Sequence, residues 1–141
     1  MPEETYLLSI CLPTYNQPEA ARQLLENLVE QYVPQIEIIV RDDSTNTHTQ
    51  ELVDEFRKVI PIRYYRGRKE GLDVAVIFLT DKALGKFVWW VGDDIVLPGA
   101  VQRILALIAS HQDLSFIWVN SHDVRSSEAL TIKSETNRFF S

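Results

Sequence analysis

The chain has 141 residues, 45% of them hydrophobic and 24% charged, with a formal net charge of −6. One domain with a real buried core is expected at this length, and the acidic balance argues against nucleic acid as a partner. No apolar run approaches the roughly 20 residues that span a bilayer, and the acidic start Met1-Pro2-Glu3-Glu4 is not a secretory leader.

Leu7 to Leu12 is a short apolar run that reads as a buried strand, with Cys11, the only cysteine, inside it. The thiol reads as a small buried hydrophobe in preference to a reactive group. Thr14-Tyr15-Asn16-Gln17-Pro18-Glu19 follows, where Asn16 and Glu19 have the spacing of a capping box. Ala21, Leu24, Leu25, Leu28 and Tyr32 then recur at helical spacing, and Pro34 stops that helix. Ile36 to Val40 is a second strand, rich in β-branched residues, and it runs into Arg41-Asp42-Asp43-Ser44-Thr45. Leu52, Val53, Phe56 and Ile60 mark one face of a second helix, closed by Pro61. Ile62 to Tyr65 is a third strand, and a basic loop follows.

Residues 72 to 84 are ambiguous. Val74 to Leu79 suits a strand by propensity, but Gly85 closes the segment and a clear strand starts directly at Phe87, so a helix is expected. Phe87 to Val91 is the fourth strand. Pro98 suits the first turn of another helix, striped by Val101, Ile104, Leu105 and Ile108. Leu114 to Val119 is a fifth strand, and beyond Ser121 the chain turns polar without periodicity. Strands separated by helices predict βαβ units, hence an α/β fold with an open, mostly parallel sheet flanked by helices. The expected organisation is a core over 1–121 and a polar C-terminal segment over 122–141.

In such a sheet the ligand lies beyond the carboxyl ends of the strands. Every chemistry-bearing cluster falls on that edge: residues 13–16, 42–45, 66–73 and 92–94. Asp93 and Asp94 could be a turn cap and a solvated acid. At the end of an apolar strand after Trp89-Trp90 they could instead supply hard oxygen ligands to a divalent cation. Asp42 and Asp43 could cap the following helix or accept hydrogen bonds from a base or a ribose. Tyr15 offers a ring for stacking. Arg63, Arg66, Arg68 and Lys69 form either a solvated loop or a site for an anion. There is no Gly-x-Gly-x-x-Gly fingerprint and no Walker lysine loop, which argues against dehydrogenases and P-loop nucleotidases.

These clusters, in this order, resemble the nucleotide-sugar-binding half of the family 2 glycosyltransferases, which have the GT-A fold. Ser9 to Asn16 looks like the opening strand and turn, Ile38 to Thr45 like the second-strand motif, and Gly92 to Gly99 like the metal-binding region and the helix after it. Gly71-Leu72-Asp73 and Trp89 to Asp94 are similar to a bacterial subgroup that builds surface polysaccharides, abequosyltransferase-like enzymes among them. The resemblance covers roughly residues 6 to 120. Gly92 and Ala75 depart from the pattern, standing where an acid or polar residue and an asparagine are usual.

The resemblance implies a Rossmann-like GT-A sheet and an inverting, metal-assisted transfer of a sugar from a nucleoside-diphosphate sugar to a saccharide or lipid-linked acceptor. It implies that Pro13, Thr14, Tyr15 and Asp43 line the nucleoside pocket, with Asp43 on the base. A basic residue, Arg68 among Arg66, Arg68 and Lys69, would approach the base or diphosphate. Asp93 would lie near the ribose or the metal shell, and Asp94 would bind Mn2+ or Mg2+ directly. The same likeness implies a catalytic base in an acceptor half beyond the metal motif. Asp123, Glu128 and Glu135 are acids there without a motif, so no base is assigned. A chain truncated after its nucleotide-binding half and poorly active alone is expected. The expected location is the cytoplasm or the inner face of the membrane, with membrane contact only through parts beyond residue 141. The alternatives are a non-catalytic nucleotide- or sugar-binding domain on the same scaffold and a sugar nucleotidyltransferase. The latter usually carries a Gly-rich loop where this chain has Pro13-Thr14-Tyr15-Asn16.

Overall fold

The computed structural model describes residues 6–92, 94–111 and 113, and the backbone of 116–119 and 132–135. The chain divides into two compact units, Met1–Pro98 and Gly99–Ser141. The domain boundary expected after residue 121 lies outside the described residues, as do Asp93, Asp123 and Glu128.

The first unit runs β1 (Leu8–Thr14), α1 (Pro18–Gln31), β2 (Ile36–Asp42), α2 (His48–Phe56), β3 (Arg63–Arg66), α3 (Leu72–Lys82) and β4 (Phe87–Trp90). Its sheet has the order β3-β2-β1-β4, and every pairing is parallel. The chain steps outward from β1 to β2 to β3, then returns to the other side of β1. Right-handed crossovers therefore put α1 and α2 on one face and α3 on the other. The strand order reverses at β1, and the carboxyl ends of all four strands share one edge.

Strand alternation assigns the faces. Leu8, Ile10, Leu12, Ile36, Ile38 and Val40 belong to one face, and all are buried. Leu24, Leu25 and Leu28 of α1 and Leu52 and Val53 of α2 are buried with them, at about 1.5–3 kcal/mol for each large side chain removed from water. The opposite face is not purely apolar. Cys11 and Ile39 pack with Leu79 of α3, but Ser9, Glu37 and Arg41 also lie there, buried. Burial, then the charge of Glu37, pushes the Cys11 thiol up to about 12. It is protonated at neutral pH and packs as a hydrophobe.

The segment from 72 is a helix, as its position demanded and its propensity did not. Its buried residues, Ala75 and Leu79, are four apart, so one narrow stripe faces the sheet while Ile77 stays exposed. Two local expectations fail. Asn16 and Glu19 form no capping box: α1 begins at Pro18 with Gln17 as cap and no side-chain cap bond. Asn16 instead has φ +50° and turns the chain out of β1. Pro98 is not in the first turn of the next helix, because Gly99 caps it.

The second unit contains α4 (Ala100–Ser110), β5 (Phe116–Val119) and β6 (Ile132–Glu135). Val101, Ile104 and Ile108 are buried as their spacing predicts. β5 pairs antiparallel with β6 in a separate two-stranded sheet. The polar run beyond Ser121 gave no sign of β6. No helix among the described residues is long and apolar enough to cross a membrane.

Candidate functional site

The edge at the carboxyl ends of β1, β2 and β3 is built from two acids with opposite assignments. Asp42 and Asp43 are adjacent in extended chain, so their side chains leave opposite sides of the sheet. Asp42 is fully buried. It accepts hydrogen bonds from Tyr64 Oη (2.6 Å), Arg66 Nη1 (3.0 Å) and the Ser44 amide (3.0 Å). Arg66 continues outward to the carbonyls of Ser44 and Asn46. Burial, then the bond to Asp42, pushes the Tyr64 phenol up to about 12, so it remains a donor throughout the neutral range. Asp42 is thus a structural staple joining β3 to the 43–46 loop, and Arg66 is committed to it.

Asp43 faces the other way. Its Oδ1 accepts from Arg41 Nε at 2.9 Å, both side chains being more than nine-tenths buried. Arg41 Nη2 also donates to the Arg68 carbonyl (3.2 Å), and its guanidinium lies 4.9 Å from the Phe78 ring centre. Gly67 packs against this pair: a Cβ there would collide with Asp43 Oδ1 and sit 2.7 Å from Arg41 Nε. The turn after β1 is tied to the same loop. The Asn16 amide donates to Ser44 Oγ (2.9 Å), Asn16 Oδ1 accepts from the Thr45 amide (2.9 Å), and the Asp43 amide donates to the Thr14 carbonyl (3.0 Å).

Beside these walls lies an open cavity of about 320 Å³, lined by Pro13, Thr14, Tyr15, Gln17, Asp43, Lys69, Gly71, Leu72 and Ala75. It holds one carboxylate, one ammonium and one partly exposed aromatic ring. Lys69 Nζ stands 4.5 Å over the Tyr15 ring centre, a cation–π contact. Thr14 Oγ1 is buried and has no hydrogen-bond partner among the described residues. Such an atom costs about 1–3 kcal/mol; strand alternation puts it on the Asp42 side of the sheet, paired in register with Asp42 and away from Asp43.

The sequence-derived positions therefore divide. Pro13, Thr14, Tyr15 and Asp43 meet around one hollow. Arg68 does not line it: its side chain is exposed, and its carbonyl serves Arg41. Lys69, one residue on, is the basic side chain in the wall. Arg63 belongs to a different cluster, 2.9 Å from Glu37 Oε1. Arg41 was not anticipated. The signal was the spacing of two between Arg41 and Asp43 in a strand, which puts opposite charges on one face.

Asp94 lies four positions past the end of β4 and is exposed. β4 and β2 flank β1 on either side, so these two strands stand on the order of 10 Å apart at the usual strand spacing. Among the described residues no group of three or more potential metal ligands exists, and none of them pairs with Asp94. A magnesium- or manganese-type ion takes few protein ligands and fills its shell with water and phosphate oxygens, and an exposed carboxylate such as Asp94 is the kind of hard oxygen ligand it uses.

Known proteins resemble this chain over most of its length. The family described as Glycosyl transferase family 2 matches residues 9–138. Abequosyltransferase RfbV of Salmonella typhimurium is 30% identical over 112 residues, 76% of this chain and 33% of that protein. The crystal structure of S. aureus TarS 1-349 in complex with UDP-GlcNAc superposes with a TM-score of 0.69 at 26% identity, covering 77% of this chain and 33% of that one. The mannosyltransferase PcManGT of Pyrobaculum calidifontis, solved with GDP-Man and Mn2+, shares the fold at a TM-score of 0.63 and 21% identity, covering 74% of this chain and 32% of that one. The chain spans about a third of the length of these relatives. With four parallel strands in the order 3-2-1-4 and a family match over most of its length, the chain belongs to the family 2 glycosyltransferases and has their GT-A fold.

Proposed function

We propose that this chain supplies the donor-binding half of an enzyme that moves a sugar from a nucleoside diphosphate to an acceptor hydroxyl. The supporting observation is the convergence of Pro13, Thr14, Tyr15, Asp43 and Lys69 on one cavity at the carboxyl edge of β1 and β2. In this reading Asp43 accepts a hydrogen bond from a base N–H, and Pro13 and Thr14 at the end of β1 form the wall beside it. Tyr15 packs on a flat face of the ligand, and the Lys69 ammonium leaves the Tyr15 ring for the diphosphate. Asp94, with Asp93 beside it, holds the cation on the β4 side. A bound divalent cation, Mg2+ or Mn2+, would stabilise negative charge on the departing diphosphate.

Displacement with inversion also needs a general base on the acceptor, and none is assigned among the described residues. The acceptor is proposed to be a saccharide or lipid-linked sugar of a bacterial surface polysaccharide, and the setting the cytoplasmic side of the membrane. Calorimetry with a panel of nucleoside diphosphates, with and without manganese, tests the reading. Expected are binding strengthened by metal, loss of the metal effect in Asp94→Ala, and loss of binding in Asp43→Ala. Binding indifferent to metal and to Asp94 would favour a non-catalytic binding domain.

A further inference from the structure

The Arg41–Asp43 contact is odd if it is only a structural support. A buried ion pair adds little stability over a well-packed apolar pair, and the acid of this one lines a cavity, with Arg41 behind it. Three contacts fix the guanidinium: Asp43 Oδ1 at 2.9 Å, the Arg68 carbonyl at 3.2 Å, and the Phe78 ring at 4.9 Å. Phe78 is itself braced edge-on against Tyr65, with ring centres 5.2 Å apart. Gly67 closes the remaining side, where no side chain would fit. The carboxylate is therefore held at one oxygen by a group that is itself held. Among the described residues no hydrogen bond reaches Asp43 Oδ2.

We infer that Arg41 is a positioning residue that fixes Asp43 as a single-oxygen acceptor and thereby sets how strongly the pocket discriminates among nucleobases. The inference rests on the nucleoside reading of the cavity. A carboxylate free to rotate can offer either oxygen and follow the donor of whichever base arrives. One fixed in advance rewards the base whose N–H meets it and leaves the others with an unpaired buried acceptor. Arg is suited to this because its planar fork bonds Asp43 and the Arg68 carbonyl together, which a lysine ammonium at the same place does not reproduce.

The test measures binding of UDP, GDP, CDP, ADP and inorganic pyrophosphate, all with manganese, to the wild-type chain and to Arg41→Lys and Arg41→Gln. The wild type should separate best from worst base by about tenfold or more. Both variants should compress that spread to about threefold or less while pyrophosphate binding stays within about twofold. A folded variant that keeps the wild-type spread overturns the inference, even with a lowered melting temperature, as does a wild type that binds all four bases equally. In those outcomes the nucleoside reading survives. If the wild type binds none of the diphosphates, that reading fails and takes the inference with it. Should both variants misfold, NMR of the wild-type Arg41 Nε–H decides: it should shift on saturation with the preferred nucleotide and not with pyrophosphate. No shift overturns the inference.

Discussion

The carboxyl edge of the sheet has two sides that differ in kind. On the β2–β3 side, both acids at the end of β2 are spoken for: Asp42 by Tyr64, Arg66 and the Ser44 amide, Asp43 by Arg41. On the β4 side, Asp94 is exposed and none of the described residues pairs with it. One side is organised before any ligand arrives. The other has a carboxylate whose partner would have to come from solution. A rigid half suits the recognition of a flat, neutral base, for which pre-organisation lowers the cost of binding. An unengaged carboxylate suits a cation that arrives with its own charged phosphate.

The largest expected effect strikes the locked side. Asp42→Ala leaves a phenol, a guanidinium and an amide without their acceptor. It should cost about 3 kcal/mol, discounted because Arg66 can reach water, seen as a lower urea midpoint with unchanged slope. Gly67→Ala comes next. Its Cβ must push Asp43 or Arg41 aside, for about 1–3 kcal/mol and, in calorimetry, a loss of nucleotide affinity greater than any loss of pyrophosphate affinity. Tyr64→Phe removes one donor of Asp42's three and should cost about 1 kcal/mol or less.

The pH dependence has a definite sign. The Tyr64 phenol rises from 10.0 and the Cys11 thiol from 9.0, each to about 12. Their contribution is complete below the unfolded values and is lost as pH climbs through the folded ones. Thermal stability should hold to about pH 9 and fall between about 9 and 12, and Tyr64→Phe should flatten the upper part of that fall. Alkylation at pH 8 should reach Cys11 only after denaturation. The smallest effect belongs to the open side: Asp94→Ala should leave stability within about 0.5 kcal/mol while abolishing the metal increment in binding. A drop of several kcal/mol in Asp94→Ala would erase the contrast between the two sides.

β1, β2 and β4 were legible as short apolar runs bounded by Pro, Gly or acids, and β3, Arg-Tyr-Tyr-Arg, by the Pro61 before it and the basic loop after it. The α3 segment was legible only from context, since Val74 to Leu79 has the composition of a strand and a helix is forced by the return from β3 to β4. Asn16 misled because an amide three residues before an acid reads as a cap. Its side chain is instead taken by the Thr45 amide, a partner 29 positions away that no local pattern reveals. The basic cluster was visible as a cluster but not as a division of labour. Arg63 goes to Glu37, Arg66 to Asp42, Arg68 offers only its carbonyl to Arg41, and Lys69 faces the cavity. Long side chains choose partners through tertiary geometry. The short Asp43, on a strand end, was readable in advance. β6 was not, because its Ile-Lys-Ser-Glu run lacks the apolar alternation that marks a strand.

Buried strands made of Ile and Val are interchangeable along their length, so apolar packing alone would let β2 slide against β1 by two residues with little penalty. Glu37 prevents it. Its carboxylate takes the Ser9 hydroxyl at 2.6 Å, the Leu84 amide at 2.6 Å and the Arg63 guanidinium at 2.9 Å, and Gly85 lets the chain close against Ser9. In any shifted alignment that charge would face Leu7 or Cys11 instead. Glu37→Leu should therefore refold with mixed strand alignments, visible as doubled amide signals along β2. A single set of signals would show that hydrophobic fit suffices. A polar clasp at the silent end of the sheet thus guards the alignment on which the distant pocket depends.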